Sequence, residues 1–256
     1  MKASHKLTII ILALVASFIY LWYFTKKDNT TIQKNKIIII GTNAEYPPYT
    51  FIKDNKIVGF DIDVAKEVFK RIRRSYKVKD MAWTALIPAI QLGQIQVIAA
   101  GITATPKREN HALFTKPYIE EDPLLIVNLA GNSPIKSVEE LKGKRVLVDE
   151  GYTADTYMSN IKGITLQRTT SPVQGFLALK SGRADAYVIA KSSAQQFFDK
   201  YEAKTFNTTE IEDVSESYSL AISKKHPKLL KKIQRALSEM EKDGTIDSLK
   251  VKWKLK

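Results

Sequence analysis

The sequence predicts an α/β protein built as two similar lobes. Three observations carry that reading. Short β-branched runs alternate with amphipathic helical stretches, the alternation restarts midway along the chain, and 256 residues suffice for two hydrophobic cores.

The first series begins with "KIIIIGT" at 36–42, a continuous apolar run closed by Gly41, as expected of a buried parallel strand. "AEYPPYTF" reads as a loop, because two adjacent prolines exclude a helix or a central strand. A helix follows over 59–74, where Phe60, Val64, Val68 and Ile72 recur at helical spacing and Asp61 and Asp63 sit at the positive end of its dipole. A strand near 77–82, a helix near 84–93 and the strand "VIAAG" at 97–101 complete this series. After the strand-like "LLIVNLA" the pattern restarts. "KRVLVDEG", "ITLQRT" and "ADAYVIA" read as strands, and "TADTYMSNI", "SPVQGFLALKSG" and "KSSAQQFFDKY" as helices. Two closing helices, broken at "DGT", carry the apolar stripe Leu229, Leu230, Ile233, Leu237 and Met240. Helices with no new strand series imply a chain that returns to finish the first lobe.

Composition narrows the function. The net charge of +13 favours anionic neighbours. The lysines are scattered over helix outer faces without interleaved aromatics, so nucleic-acid binding is not expected. Cysteine is absent, which removes disulfides, thiolate metal ligands and a lipid-modified N-terminal cysteine. The histidines at 5, 111 and 226 form no catalytic or metal-ligand spacing, and neither a metal nor a cofactor is expected. At the N-terminus, Lys2 and Lys6 precede an apolar run from Leu7 to Phe24, near the length that crosses a bilayer. Residues 1–25 read as a signal-anchor or signal peptide, the uncleaved anchor being favoured because the small-residue site "VAS" is poor. The polar stretch 26–35 reads as a tether, and everything after it as extracytoplasmic.

"AAGITATPKREN" at 99–110 raises the sharpest question about chemistry. Thr105 fits an N-cap with Pro106 at the first helical position, which brings Arg108 close to a strand end. A guanidinium there is either a surface charge or a planar fork that clamps a carboxylate.

From Lys36 to Trp253 the chain resembles the amino-acid-binding branch of the periplasmic solute-binding proteins, the receptors of ABC importers. "GTNAEYPPY", "GFDIDVAKEV", "ALIPAIQLGQIQVIAAGITATPKR", "LKGKRVLVDEG", "LKSGRADAYV" and "EMEKDGTIDSLKVKW" occur in the family's order. The resemblance implies a type II two-lobed fold with two hinge crossovers and a ligand held in the interlobe cleft. Residues 36–124 with 217–256 would form lobe 1 and 128–212 lobe 2, with hinges near 124–128 and 212–217. It also implies that Arg108 grips the ligand α-carboxylate, that Gly101, Ile102 and Thr103 complete the cradle, and that Tyr46 and Trp83 flank the side chain. Asn43 stands where basic-amino-acid binders often carry Asp, and Glu45 is a substitute charge. Asp149 and Glu150 end a second-lobe strand that contacts ligand in relatives; strand alternation turns only one inward, and Asp149 is the choice. Thr153 is a lid contact or a cap, and Gln174 a further polar candidate. The family's acceptor for the ligand ammonium falls on Ala190, so Glu150, Gln174 or a backbone carbonyl must serve. Asp185 reads as structural. The expected ligand is free arginine or another basic amino acid, with glutamine or another polar amino acid as the alternative. The expected partners are an ABC permease and the membrane, and the expected state is a monomer. A dehydratase on the same fold is the enzymatic alternative, with Glu45 or Glu150 as its acid or base.

Overall fold

The fold opens on the predicted strand, and three further short strands precede the predicted helix. β1 (Ile38–Thr42) is followed by β2 (Glu45–Tyr46), β3 (Thr50–Lys53), β4 (Lys56–Val58), α1 (Phe60–Arg71), β5 (Tyr76–Asp80), α2 (Trp83–Leu92), β6 (Val97–Thr103) and α3 (Pro106–Glu109). β7 (Ala112–Phe114) and the long β8 (Ile119–Leu129) lead into β9 (Arg145–Asp149), α4 (Thr153–Met158), β10 (Thr165–Thr169), α5 (Pro172–Lys180), β11 (Ala186–Ala190) and α6 (Lys191–Phe198). β12 (Phe206–Ser223), α7 (Pro227–Lys242) and α8 (Thr245–Lys252) close the chain. These elements come from a computed structural model that describes residues 20, 37–199 and 205–255. The N-terminal anchor and tether expected over 1–35 lie outside the described residues, apart from Tyr20. Among the described residues no helix is long and apolar enough to cross a membrane.

One mixed sheet organises residues 38–256, in the order β10-β9-β11-β8-β12-β6-β1-β5 with β7 on β12. β1, β5 and β6 pair in parallel at one end, and β9, β10 and β11 in parallel at the other. The antiparallel pair β8·β12 joins them, with Phe206 opposite Leu129 and Tyr218 opposite Ile119. Each half has its own core. Ile40, Phe60, Val68 and Ile222 pack under α7, whose buried residues Leu229, Ile233, Leu237 and Met240 are the predicted stripe. Val146, Val148, Val188 and Met158 belong to the core of the other half, and Phe176, Tyr187 and Phe197 to a further cluster there. The apolar faces of single strands and helices have no other way to leave water.

Two segments differ from expectation. The 44–51 stretch is not simply a loop: β2, β3 and β4 form a small antiparallel sheet, with Pro47 and Pro48 at the turn between β2 and β3, where no ladder donor is needed. β12 was not foreseen as a strand at all. Its polar first half and the register irregularities around Asp213 break the alternation that marks a strand in sequence.

Candidate functional site

Arg108 is half-buried and its fork is fully directed. Thr105 caps α3 through a bond from Arg108 N at 3.3 Å, with Pro106 first in the helix, as the sequence predicts. The guanidinium donates through Nη1 to Thr103 O and through Nη2 to Gly151 O, each at 2.8 Å. Its carbon lies 5.3 Å from the Trp83 ring centre, within cation–π range. Burial pushes its pKa down, and the opposing charge of Glu216 pushes it back up. A solvated surface charge would show none of this.

The aromatic residues form one stack. Tyr46 is buried against Gly101 of β6, which has φ +62°, and a Cβ on Gly101 would lie 3.3 Å from the Tyr46 ring. Between Tyr46 and Trp83 lies Tyr152, from the loop after β9. Its ring centre is 4.5 Å from Tyr46 and 3.8 Å from Trp83, with interplanar angles of 25° and 16°. The Tyr152 hydroxyl donates to Asn43 Oδ1 at 3.4 Å, while Asn43 Nδ2 donates to Met81 O.

Buried carboxylates surround this stack. Asp149 is 3% exposed at the end of β9; its Oδ2 accepts from Tyr187 OH at 2.6 Å and its Oδ1 has no hydrogen-bond partner. Burial pushes its pKa up to about 7, with the Tyr187 bond opposing and Glu216 and Glu45 adding to the rise. Glu216, on β12, is 1% exposed; burial pushes it also to about 7, although Tyr218 OH at 2.5 Å and Arg108 favour its charge. Tyr46 OH lies 3.5 Å from the same oxygen, and the Thr153 side chain favours the charged form of this carboxylate. In the ladder Glu216 stands directly opposite Asp122, so two carboxyl groups are buried side by side on one face. Asp122 accepts from Tyr49 OH and from the Ser192 amide and hydroxyl, while the one Tyr218 OH proton lies within reach of both Asp122 and Glu216, and this cluster pins β8 to β12 and α6.

The remaining candidates divide. Thr103 is buried with its hydroxyl unpartnered, beside the carbonyl that Arg108 holds. The Gly101 amide is committed to Asp61 Oδ2 at 2.6 Å, so its contribution to a cradle is conformational rather than a free donor. Ile102 packs its side chain into the core against α2. Thr153 is the first residue of α4, not its cap; Tyr152 holds the N-cap position. Glu45 is exposed but acts electrostatically on Asp149 and Tyr152. Glu150 is exposed and near Arg168. Gln174 is exposed, its carbonyl accepting from Thr169 and Thr170, and it does not join the buried group. Asp185 pairs with Arg145 at 2.7 Å and also receives its amide, a structural clasp. A crevice of about 770 Å³ opens beside Glu45, lined also by Phe51, Trp253, Ser171, Val173 and Gln196. Among the described residues no cluster of three His, Asp or Glu side chains is arranged to hold a metal ion.

Tyr152, Glu216 and Asp122 escaped sequence reasoning. Glu216 did carry a signal: it alternates with Tyr218, Leu220 and Ile222, which puts a carboxylate on the buried face of a strand.

Residues 38–256 match the bacterial extracellular solute-binding proteins, family 3. The chain belongs to that family. Among this family's relatives, the arginine-binding extracellular protein ArtP of Bacillus subtilis (strain 168) is 30% identical over 230 residues, covering 85% of this chain and 86% of its own. An ancestral arginine-binding protein bound to arginine superposes with a TM-score of 0.80 at 37% identity, over 86% of this chain and 99% of that one. An ancestral arginine-binding protein bound to glutamine gives 0.78 at 38%, over 85% and 97%. The family 3 fold is two-lobed α/β.

Proposed function

We propose that this family 3 chain is an amino-acid receptor serving an ABC importer, with arginine the preferred ligand and lysine or ornithine next. The observation that carries the reading is one directed guanidinium set among buried carboxylates. Arg108 is the only guanidinium in that cluster among the described residues, while Asp149 and Glu216 supply two buried carboxyl groups and Glu45 a third at the edge. A basic amino acid complements that set: carboxylate to Arg108, α-ammonium to Glu216, side-chain cation to Asp149. Glu216 then takes the role left open by Ala190, and the orphaned Asp149 Oδ1 gains a donor.

In this reading the first lobe comprises 36–124 with 217–256 and the second 128–212, with hinges near 124–128 and 212–217. Closure about the two long strands brings Asp149 onto a ligand already held by Arg108 and Thr103. The chain acts as a binder rather than a catalyst, as a monomer held at the outer face of the membrane by its N-terminal apolar segment. A thermal-shift screen against all proteinogenic amino acids and ornithine tests the assignment. A ligand at 100-fold its Kd stabilises by about 2.7 kcal/mol, and arginine is expected to give the largest shift. A shift from glutamine alone would refute the basic preference; no shift from any amino acid would refute the receptor reading.

A further inference from the structure

We propose that Tyr152 is a built-in competitor for the ligand side chain, which fills the aromatic slot between Tyr46 and Trp83 in a closed state that excludes ligand and thereby sets the affinity of the site. The inference rests on the amino-acid-receptor reading above. The Tyr152 ring is 4% exposed and nearly parallel to both neighbours, with centres 4.5 and 3.8 Å away. Those separations leave no thickness for a second planar group, so ring and ligand side chain cannot share the slot.

The flanking residues engage the rest of the site in the same way. Gly151 O takes Arg108 Nη2 at 2.8 Å, as a ligand carboxylate oxygen would. The Tyr152 hydroxyl donates to Asn43 Oδ1, and the Thr153 side chain favours the charged form of Glu216. Three consecutive residues therefore meet the carboxylate clamp, the side-chain slot and the ammonium acceptor together. The loop is shaped for this. Gly151 has φ +76°, and a Cβ there would lie 2.9 Å from the Trp83 indole, so only glycine lets the backbone rest on that ring. Gly151 N donates to Asp155 Oδ2 at 2.8 Å, and Asp155 is held by Arg168 at 2.9 Å. Tyr152 thus arrives on a preordered loop when the lobes close, and this closed state competes with the ligand-bound one. The apparent Kd is the intrinsic value divided by the fraction of molecules with a free slot.

Titration calorimetry of the purified full chain with arginine tests this, comparing wild type with Tyr152→Ala and Tyr152→Thr. Two stacked ring contacts are lost in each, so arginine affinity is expected to rise on the order of tenfold. Tyr152→Phe restores the ring and is expected to reverse that gain. Equal or weaker binding by both small variants, with circular dichroism showing them folded, overturns the proposal while the receptor reading stands. If neither wild type nor variants bind any amino acid, the receptor reading falls and this proposal with it.

Discussion

Replacing Arg108 with Ala tests the centre of the site. The side chain makes two charge-assisted bonds of 2.8 Å, to Thr103 O and Gly151 O, and lies over Trp83. In the proposed receptor, ligand binding exchanges the second of these for a carboxylate. Truncating one member of a buried, hydrogen-bonded charge pair costs about 2–5 kcal/mol. At about 1.4 kcal/mol per decade that is a loss of roughly 30-fold to several thousand-fold in affinity. The loss applies to every amino acid ligand, because all share the carboxylate. Arg108→Lys keeps the charge and loses the fork, so it is expected to fall between wild type and Ala. Calorimetry with arginine reads both variants, with circular dichroism to show that the fold survives. If Arg108→Ala binds arginine within about threefold of wild type, the guanidinium is not the carboxylate clamp and the reasoning fails.

Two further outcomes are expected. Asp149→Asn keeps the shape and the Tyr187 bond partner but removes the charge, so arginine should weaken by about tenfold or more relative to glutamine; competition calorimetry reads the ratio, and an unchanged ratio refutes the side-chain assignment. Asp149 and Glu216 both titrate near pH 7 in the fold, above their ordinary values of 3.8 and 4.5. The folded protein then binds more protons than the unfolded chain between about pH 4 and 7, so stability contributed by these groups is present at low pH and lost as pH rises through 7. The thermal midpoint of the unliganded protein should be higher at pH 5.5 than at pH 8, and arginine should bind more tightly at pH 8, with proton release near pH 7; a flat calorimetric profile in buffers of different ionisation enthalpy would contradict this.

Much of the site was legible because it sits in short local patterns. Thr105-Pro106 predicts a helix start, and that start brings Arg108 back to the Thr103 carbonyl two residues ahead of the cap. Strand alternation at the end of β9 separates a buried Asp149 from an exposed Glu150. Glu216 was harder. It lies on an irregular strand whose first half is polar, and its importance comes from standing opposite Asp122, far away in the chain. Gln174 has the right residue type near a helix start, but its carbonyl is taken by Thr169 and Thr170.

The amino-acid sequence by itself determined the α/β alternation, the capped turn that aims Arg108, and the family to which the chain belongs. These depend on residues near one another, whose periodicity and backbone preferences act over one or two turns. Only the tertiary structure decided which distant segments meet: Tyr152 between Tyr46 and Trp83, Gly151 on Arg108, and Glu216 facing Asp122. The physical reason is that a contact between distant segments is set by how β8 and β12 join the two cores, and no local pattern records that geometry.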